Sequence, residues 1–161
     1  RQMKRNIEEE SELLNKIVAS IQSRDDFTTA FRSLKTIVQS LKIDLGKIYF
    51  GDKTPLIALV EQCLLVHGIS VSDVVGVVED FCELGDSMDR LCKQELPLIY
   101  YICLHPNNND LIHRLIRLVG NRESAEKVLP ILEAQNCDPL RTKFLQKLFR
   151  LTASAPATGQ S

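Results

Sequence analysis

The sequence predicts an all-α protein built of stacked antiparallel helical hairpins, α-solenoid-like, with eight or nine helices. Three observations predict it. The first is a rhythm of breaks at Gly51, Gly68, Gly85, Leu104-His105-Pro106, Gly120 and Cys137-Asp138-Pro139. Gly51 to Gly68 and Gly68 to Gly85 are steps of 17 residues, Gly85 to Gly120 spans 35, and Gly120 to Asp138 spans 18. One helix and one turn per step make a hairpin of about 35 residues, the length of stacked helix-turn-helix units. The second is apolar spacing at i, i+3, i+4 and i+7, clearest in Phe27, Ala30, Phe31, Leu34, Ile37, Val38 and Leu41. The third is helix punctuation, above all Thr54-Pro55, a capping hydroxyl followed by proline at the first helical position.

In chain order, the first helix is predicted over 6–23, with Leu13, Leu14, Ile17, Val18 and Ile21 as its apolar stripe. Glu8, Glu9 and Glu10 sit at the positive end of its dipole. Asp25 or Asp26 caps the second helix, and the pair forms a hairpin. Residues 42–53, with Gly46 and Gly51, read as an irregular connection holding a short extended piece at Lys47-Ile48-Tyr49-Phe50. The helix opened by Thr54-Pro55 is apolar on most sides (Leu56, Ile57, Leu59, Val60, Cys63), which predicts a central position and an end at Gly68. Ser72-Asp73 starts the next, whose core face is Val74, Val75, Val77, Val78, Phe81 and Cys82. Its valines favour strands, but the caps around them favour helix.

Pro97 divides 87–104, predicting either one kinked helix or two, Met88–Gln94 and Leu96–Leu104. Asn109 caps Asp110–Val119, Gly120-Asn121 closes it, and Glu123–Gln135 follows as one helix containing Pro130. Pro139 opens the last helix, with Leu140, Phe144, Leu148 and Leu151 on one side and Leu145 and Phe149 beside them. The organisation expected is a hairpin plus irregular connection over 1–50, a helical-repeat stack over 51–153 in the same compact domain, and a flexible tail over 154–161. The charged start at Arg1 and the small, polar run after Leu151 predict a domain within a longer protein.

At 161 residues the chain is long enough to bury roughly 70% of its unfolded surface. A net charge of −1 argues against a generally polyanion-binding surface, and 6% aromatics without Trp weakens any base-stacking role. The five scattered cysteines (Cys63, Cys82, Cys92, Cys103, Cys137) read as reduced, buried thiols of an intracellular protein, cytoplasmic or nuclear. No apolar run reaches the 18 or more residues of a membrane span, so no membrane association is expected.

The stretch 110–139 combines an apolar first helix, a turn at Gly120, the small Ala125 on a second helix and an exit at Pro139. It resembles a repeat of the tetratricopeptide/pentatricopeptide superfamily. The resemblance implies a protein-interaction scaffold or, on the pentatricopeptide side, single-stranded RNA binding; the rest of the chain leaves Arm- or HEAT-like packing, or an irregular helical bundle, open.

No catalytic grouping emerges. Cys103, His105, His113, His67 and Cys137 lack the spacing of a zinc site. Cys92 beside Lys93 looks the least buried thiol, but no base or acid accompanies it. Phosphate-cradling glycine loops are missing, and no cofactor is implied. Glu79, Asp80, Glu83, Asp86 and Asp89 read as a solvated acidic face. The informative charge pattern lies later. Between Pro139 and Leu151 there are four bases and no acid, and Lys143, Lys147 and Arg150 share one helix face. With Arg114 and Arg117 they are the predicted charged contacts for a protein partner, an acidic peptide or helix. RNA is the lesser alternative, and self-association through the first two helices is a third.

Overall fold

The computed structural model describes residues 6–105, 108–135 and 138–153. The predicted tail at 154–161, with Pro106 and Cys137 of two predicted breaks, lies outside them. The helices are α1 (Ile7–Ala19), α2 (Arg24–Leu41), α3 (Pro55–Leu64), α4 (Val71–Glu83), α5 (Leu98–Cys103), α6 (Asn109–Leu115), α7 (Arg122–Glu126), α8 (Val128–Ala134) and α9 (Pro139–Ala153). Two 3₁₀ turns lie at Leu45–Lys47 and Ile116–Leu118. Among the described residues there is no strand, only an isolated bridge between Phe50 and Lys53. The protein is all-helical. Helix α1 lies against α2 and α3, α3 against α4 and α5, and α5 against α6 and α8. Helix α4 meets α6, while α9 meets α7, α8 and the second 3₁₀ turn.

Each boundary has a chemical cause. The Asn6 side chain accepts the Glu9 N–H and starts α1. The helix stops at Ala19, short of Ser23, because Ser23 is taken by the next helix: its hydroxyl accepts the Asp26 N–H at 3.0 Å. Ser23, not Asp25 or Asp26, is therefore the cap; the Asp26 carboxylate reaches back to the Gln22 N–H. Leu14, Val18 and Ile21 are buried, but Leu13 is half exposed, so the α1 stripe is narrower than expected. The Gln62 amide takes the Ile21 carbonyl at 2.7 Å and pins this turn to α3.

Helix α3 is central, as its all-round apolarity predicted. Thr54 caps it through the Ile57 N–H, and Leu56, Ile57, Leu59, Val60 and Cys63 are buried. Burying each of the large ones favours folding by about 1.5–3 kcal/mol. It ends at Leu64, and Gly68, at φ +96°, makes the later turn. Ser70, not Ser72, caps α4, in a reciprocal capping box with Asp73. Val74, Val77, Val78 and Phe81 bury its inner face, so packing overrides valine's strand preference. Arg24–Asp73 and Lys35–Asp80 ion pairs, each 2.9 Å, and Phe31 at 6.1 Å from Phe81 tie α2 to α4.

The main departure is at 84–97, which is not helical. Pro97 precedes α5, and the predicted helix over Met88–Gln94 is absent. The N–H groups there are spent on other partners: Asp89 N–H on the Ser87 hydroxyl, Cys92 N–H on Leu96, and Lys93 N–H on Asp52. A second departure splits Glu123–Gln135 into α7 and α8. Pro130 has no N–H for the carbonyl one turn back at Glu126, where α7 ends. Asn108, not Asn109, precedes α6, and its side chain instead holds the Ile102 carbonyl at 2.7 Å.

One periodicity escaped the glycine-based reading. Thr54-Pro55-Leu56, Leu96-Pro97-Leu98 and Asp138-Pro139-Leu140 recur at two equal steps of 42 residues. They precede or open α3, α5 and α9. Glycines mark where helices turn, whereas the prolines mark where they begin.

Candidate functional site

The basic face on α9 follows from which residues the helix buries. Thr142, Leu145 and Leu148 point inward. At 100° per residue, Lys143, Lys147 and Arg150 fall on the opposite side, and all three are exposed. Of the predicted Leu140-Phe144-Leu148 face, Leu148 is buried and Phe144 packs against the core, but Leu140 is 75% exposed; Leu151 and Phe149 lie outside the described side chains. Because α9 rests on the Ile116–Leu118 turn, exposed Arg117 belongs to the element it packs on. Arg114, one turn earlier, leans the other way. Its Nε lies 3.5 Å from Asp110, and its guanidinium donates to the Ser72 hydroxyl on α4 at 3.4 Å. Lys143, Lys147 and Arg150 thus form one outward face, Arg117 sits on the adjoining turn, and Arg114 links toward α4.

The predicted solvated acidic face does not exist as one surface. Asp86 is buried: its carboxylate accepts the Leu56 and Ser87 N–H groups, each at 2.8 Å, and lies 3.6 Å from Arg90. Burial pushes the Asp86 carboxyl above its ordinary range, and those N–H groups and Arg90 pull back. Asp89 accepts from Gly120 and Asn121 at 2.9–3.0 Å, binding the loop to the start of α7. Of the five acids of that predicted face only Glu79 and Glu83 are exposed. Arg90 is the residue that sequence reasoning missed. It donates to the Leu45 carbonyl at 2.7 Å and the Ile48 carbonyl at 2.5 Å, and packs 4.4 Å from the Tyr49 ring centre. Local spacing offers only the i, i+4 pairing with Asp86; the carbonyls that its guanidinium holds lie more than 40 positions away.

The described thiols are Cys63, Cys82, Cys92 and Cys103, and all but Cys82 are buried. Cys92 is buried against the Tyr101 hydroxyl at 3.3 Å, and Cys82 is the more exposed thiol, which corrects the reading of Cys92 as least buried. Burial pushes the Cys63 thiol up to about 12, with Asp73 adding to the rise. Burial also raises Cys82, and nearby Asp86 and Asp89 add to it. At about 12, the Cys63 thiol holds about a thousandfold fewer thiolates than an ordinary cysteine. With iodoacetamide at mildly alkaline pH, Cys82 will therefore label well before Cys63, and Cys63 will label only as fast as the chain unfolds. Mass spectrometry of time points checks this; equal native rates would contradict it.

Among the described residues no group of three His, Cys, Asp or Glu is placed to hold a metal ion, and no helix is long and apolar enough to cross a membrane. Comparison with known proteins returned no match, whether to family models, to curated sequences or to solved structures.

Proposed function

We propose that this chain is a non-enzymatic interaction domain in which successive hairpins stack in a solenoid-like order and α9 presents a basic face to an acidic peptide or helix. What supports the stacking is the order of contacts, α1 to α3 to α5 to α8, with α4 on α6 beside it. The recurrence of proline-marked helix starts supports it too. The observation that carries the binding reading is the α9 face itself: Lys143, Lys147 and Arg150 stand opposite Thr142, Leu145 and Leu148. Such a face anchors a partner by a charged rim, and Arg117 extends it. RNA is disfavoured because no described aromatic side chain is exposed to stack a base.

The test is fluorescence anisotropy with a labelled acidic amphipathic peptide. Lys143→Glu/Lys147→Glu will weaken binding about tenfold or more, by placing like charges together. Both residues are exposed, so the fold will persist by circular dichroism. Unchanged affinity would remove this face from the binding surface.

A further inference from the structure

Two surfaces of this chain complement each other. The first is a groove of about 570 Å³ between the C-terminal half of α4, the start of the loop and the Ile116–Leu118 turn. Val78, Cys82, Met88 and Leu118 give it apolar lining, and Glu79 and Glu83 stand exposed on its rim. Leu118 is 48% exposed. Asp80, also on the rim, is engaged by Lys35. The second surface is the outer side of α9. Leu140 is the most exposed large apolar side chain among the described residues, and Lys143 and Lys147 follow it at i+3 and i+7 on the same side. One surface is a recess that mixes apolar walls with Asp86 and Ser87 under an acidic rim; the other is an apolar knob with basic flanks.

We propose that two copies of this chain pair reciprocally, α9 of each seating Leu140 in the partner's groove, with Lys143 and Lys147 against the partner's Glu79 and Glu83. Charge complementarity selects a second copy as the occupant. Adjacency selects the geometry: α9 packs on the same turn that supplies Leu118, so knob and groove belong to neighbouring elements. A twofold axis then satisfies both at once and leaves neither surface open, giving a closed dimer. This pairing goes beyond the peptide-binding reading and competes with it, because it covers Lys143 and Lys147.

Light scattering on the full chain tests it. At about 0.1 M salt the mass will rise with concentration from the 18.2 kDa of one chain toward twice that. At about 1 M, where the screening length falls from about 10 Å to about 3 Å, it will return to one chain. Glu79→Lys/Glu83→Lys and Lys143→Glu/Lys147→Glu will each weaken self-association at least about tenfold. An equimolar mixture of the two variants will form dimers again, since each reversed surface then meets its opposite. Monomer under all conditions, growth beyond a dimer, indifference to either reversal, or a mixture that stays monomeric would each overturn the pairing. The Glu79→Lys/Glu83→Lys chain keeps its basic face, so acidic-peptide binding by that variant separates failure of the dimer from failure of the binding reading.

Discussion

Gly85→Ala will destabilise the protein by about 3 kcal/mol, whereas Gly76→Ala, nine residues earlier on the same helix-loop segment, will stabilise it by about 1 kcal/mol. Gly85 sits at φ +112°, a region closed to side-chain-bearing residues, and a methyl there would lie 2.0 Å from the Asp44 carboxylate. That carboxylate cannot swing away freely, because it accepts the Gly46 N–H that starts the first 3₁₀ turn. Gly46 meets the same obstacle from the other side: its added methyl would fall 2.2 Å from the Gly85 carbonyl oxygen. The two backbones touch because the Leu45 N–H donates to the Leu84 carbonyl at 3.1 Å. Gly76, in contrast, lies inside α4 with open space around it, so alanine there only removes glycine's helix penalty. Urea denaturation of both variants decides the matter. Two shifts of the same sign would show that close contact between the loop and the connection does not govern Gly85.

Arg90→Met will cost about 3 kcal/mol, and Arg90→Lys will recover only part of it. Methionine fills similar space but removes donors from the Leu45 and Ile48 carbonyls and leaves the Asp86 carboxylate, wholly covered, without its cation. Lysine restores charge, yet its single ammonium cannot span two carbonyls as the guanidinium fork does. The loss also depends on pH. Burial already raises the Asp86 carboxyl above 3.8, and Arg90 is one of the groups that oppose this. A carboxyl raised in the folded state contributes stability that is fullest below its unfolded value and is lost as pH rises through its folded value. Without Arg90 the rise is larger, so the gap between native and Arg90→Met will be smallest near pH 3.8 and widen toward neutrality. Urea melts across that range test it; a gap independent of pH would mean that Asp86 does not feel Arg90.

Most of the helices were legible in the sequence for a local reason: caps and apolar faces act within one turn. Thr54-Pro55 announced α3, Pro139 announced α9, and the Phe27–Val38 spacing announced the buried side of α2. Errors of cap position, Ser23 for Asp25 and Ser70 for Ser72, came from several competent oxygens standing side by side. Residues 87–94 failed for a different cause. Their composition suits a helix, but beside local bonds to Ser87 and Leu96 their polar groups are held by Leu45, Ile48, Asp52, Gly120 and Asn121, all distant in sequence. The candidate site divides in the same way. The basic side of α9 could be read from i, i+4, i+7 spacing, since a helix presents it wherever it packs. The acid-rimmed groove could not, because it exists only once α4 and the Ile116–Leu118 turn are brought together.

The irregular segment between α4 and α5 therefore has a role opposite to that of a hinge. Through Asp86 it grips the start of α3, through Arg90 and Lys93 the connection before it, and through Asp89 the chain beyond α6. A cut there would not release two working halves; it would unfasten the buckle that holds the early and late helices on one belt.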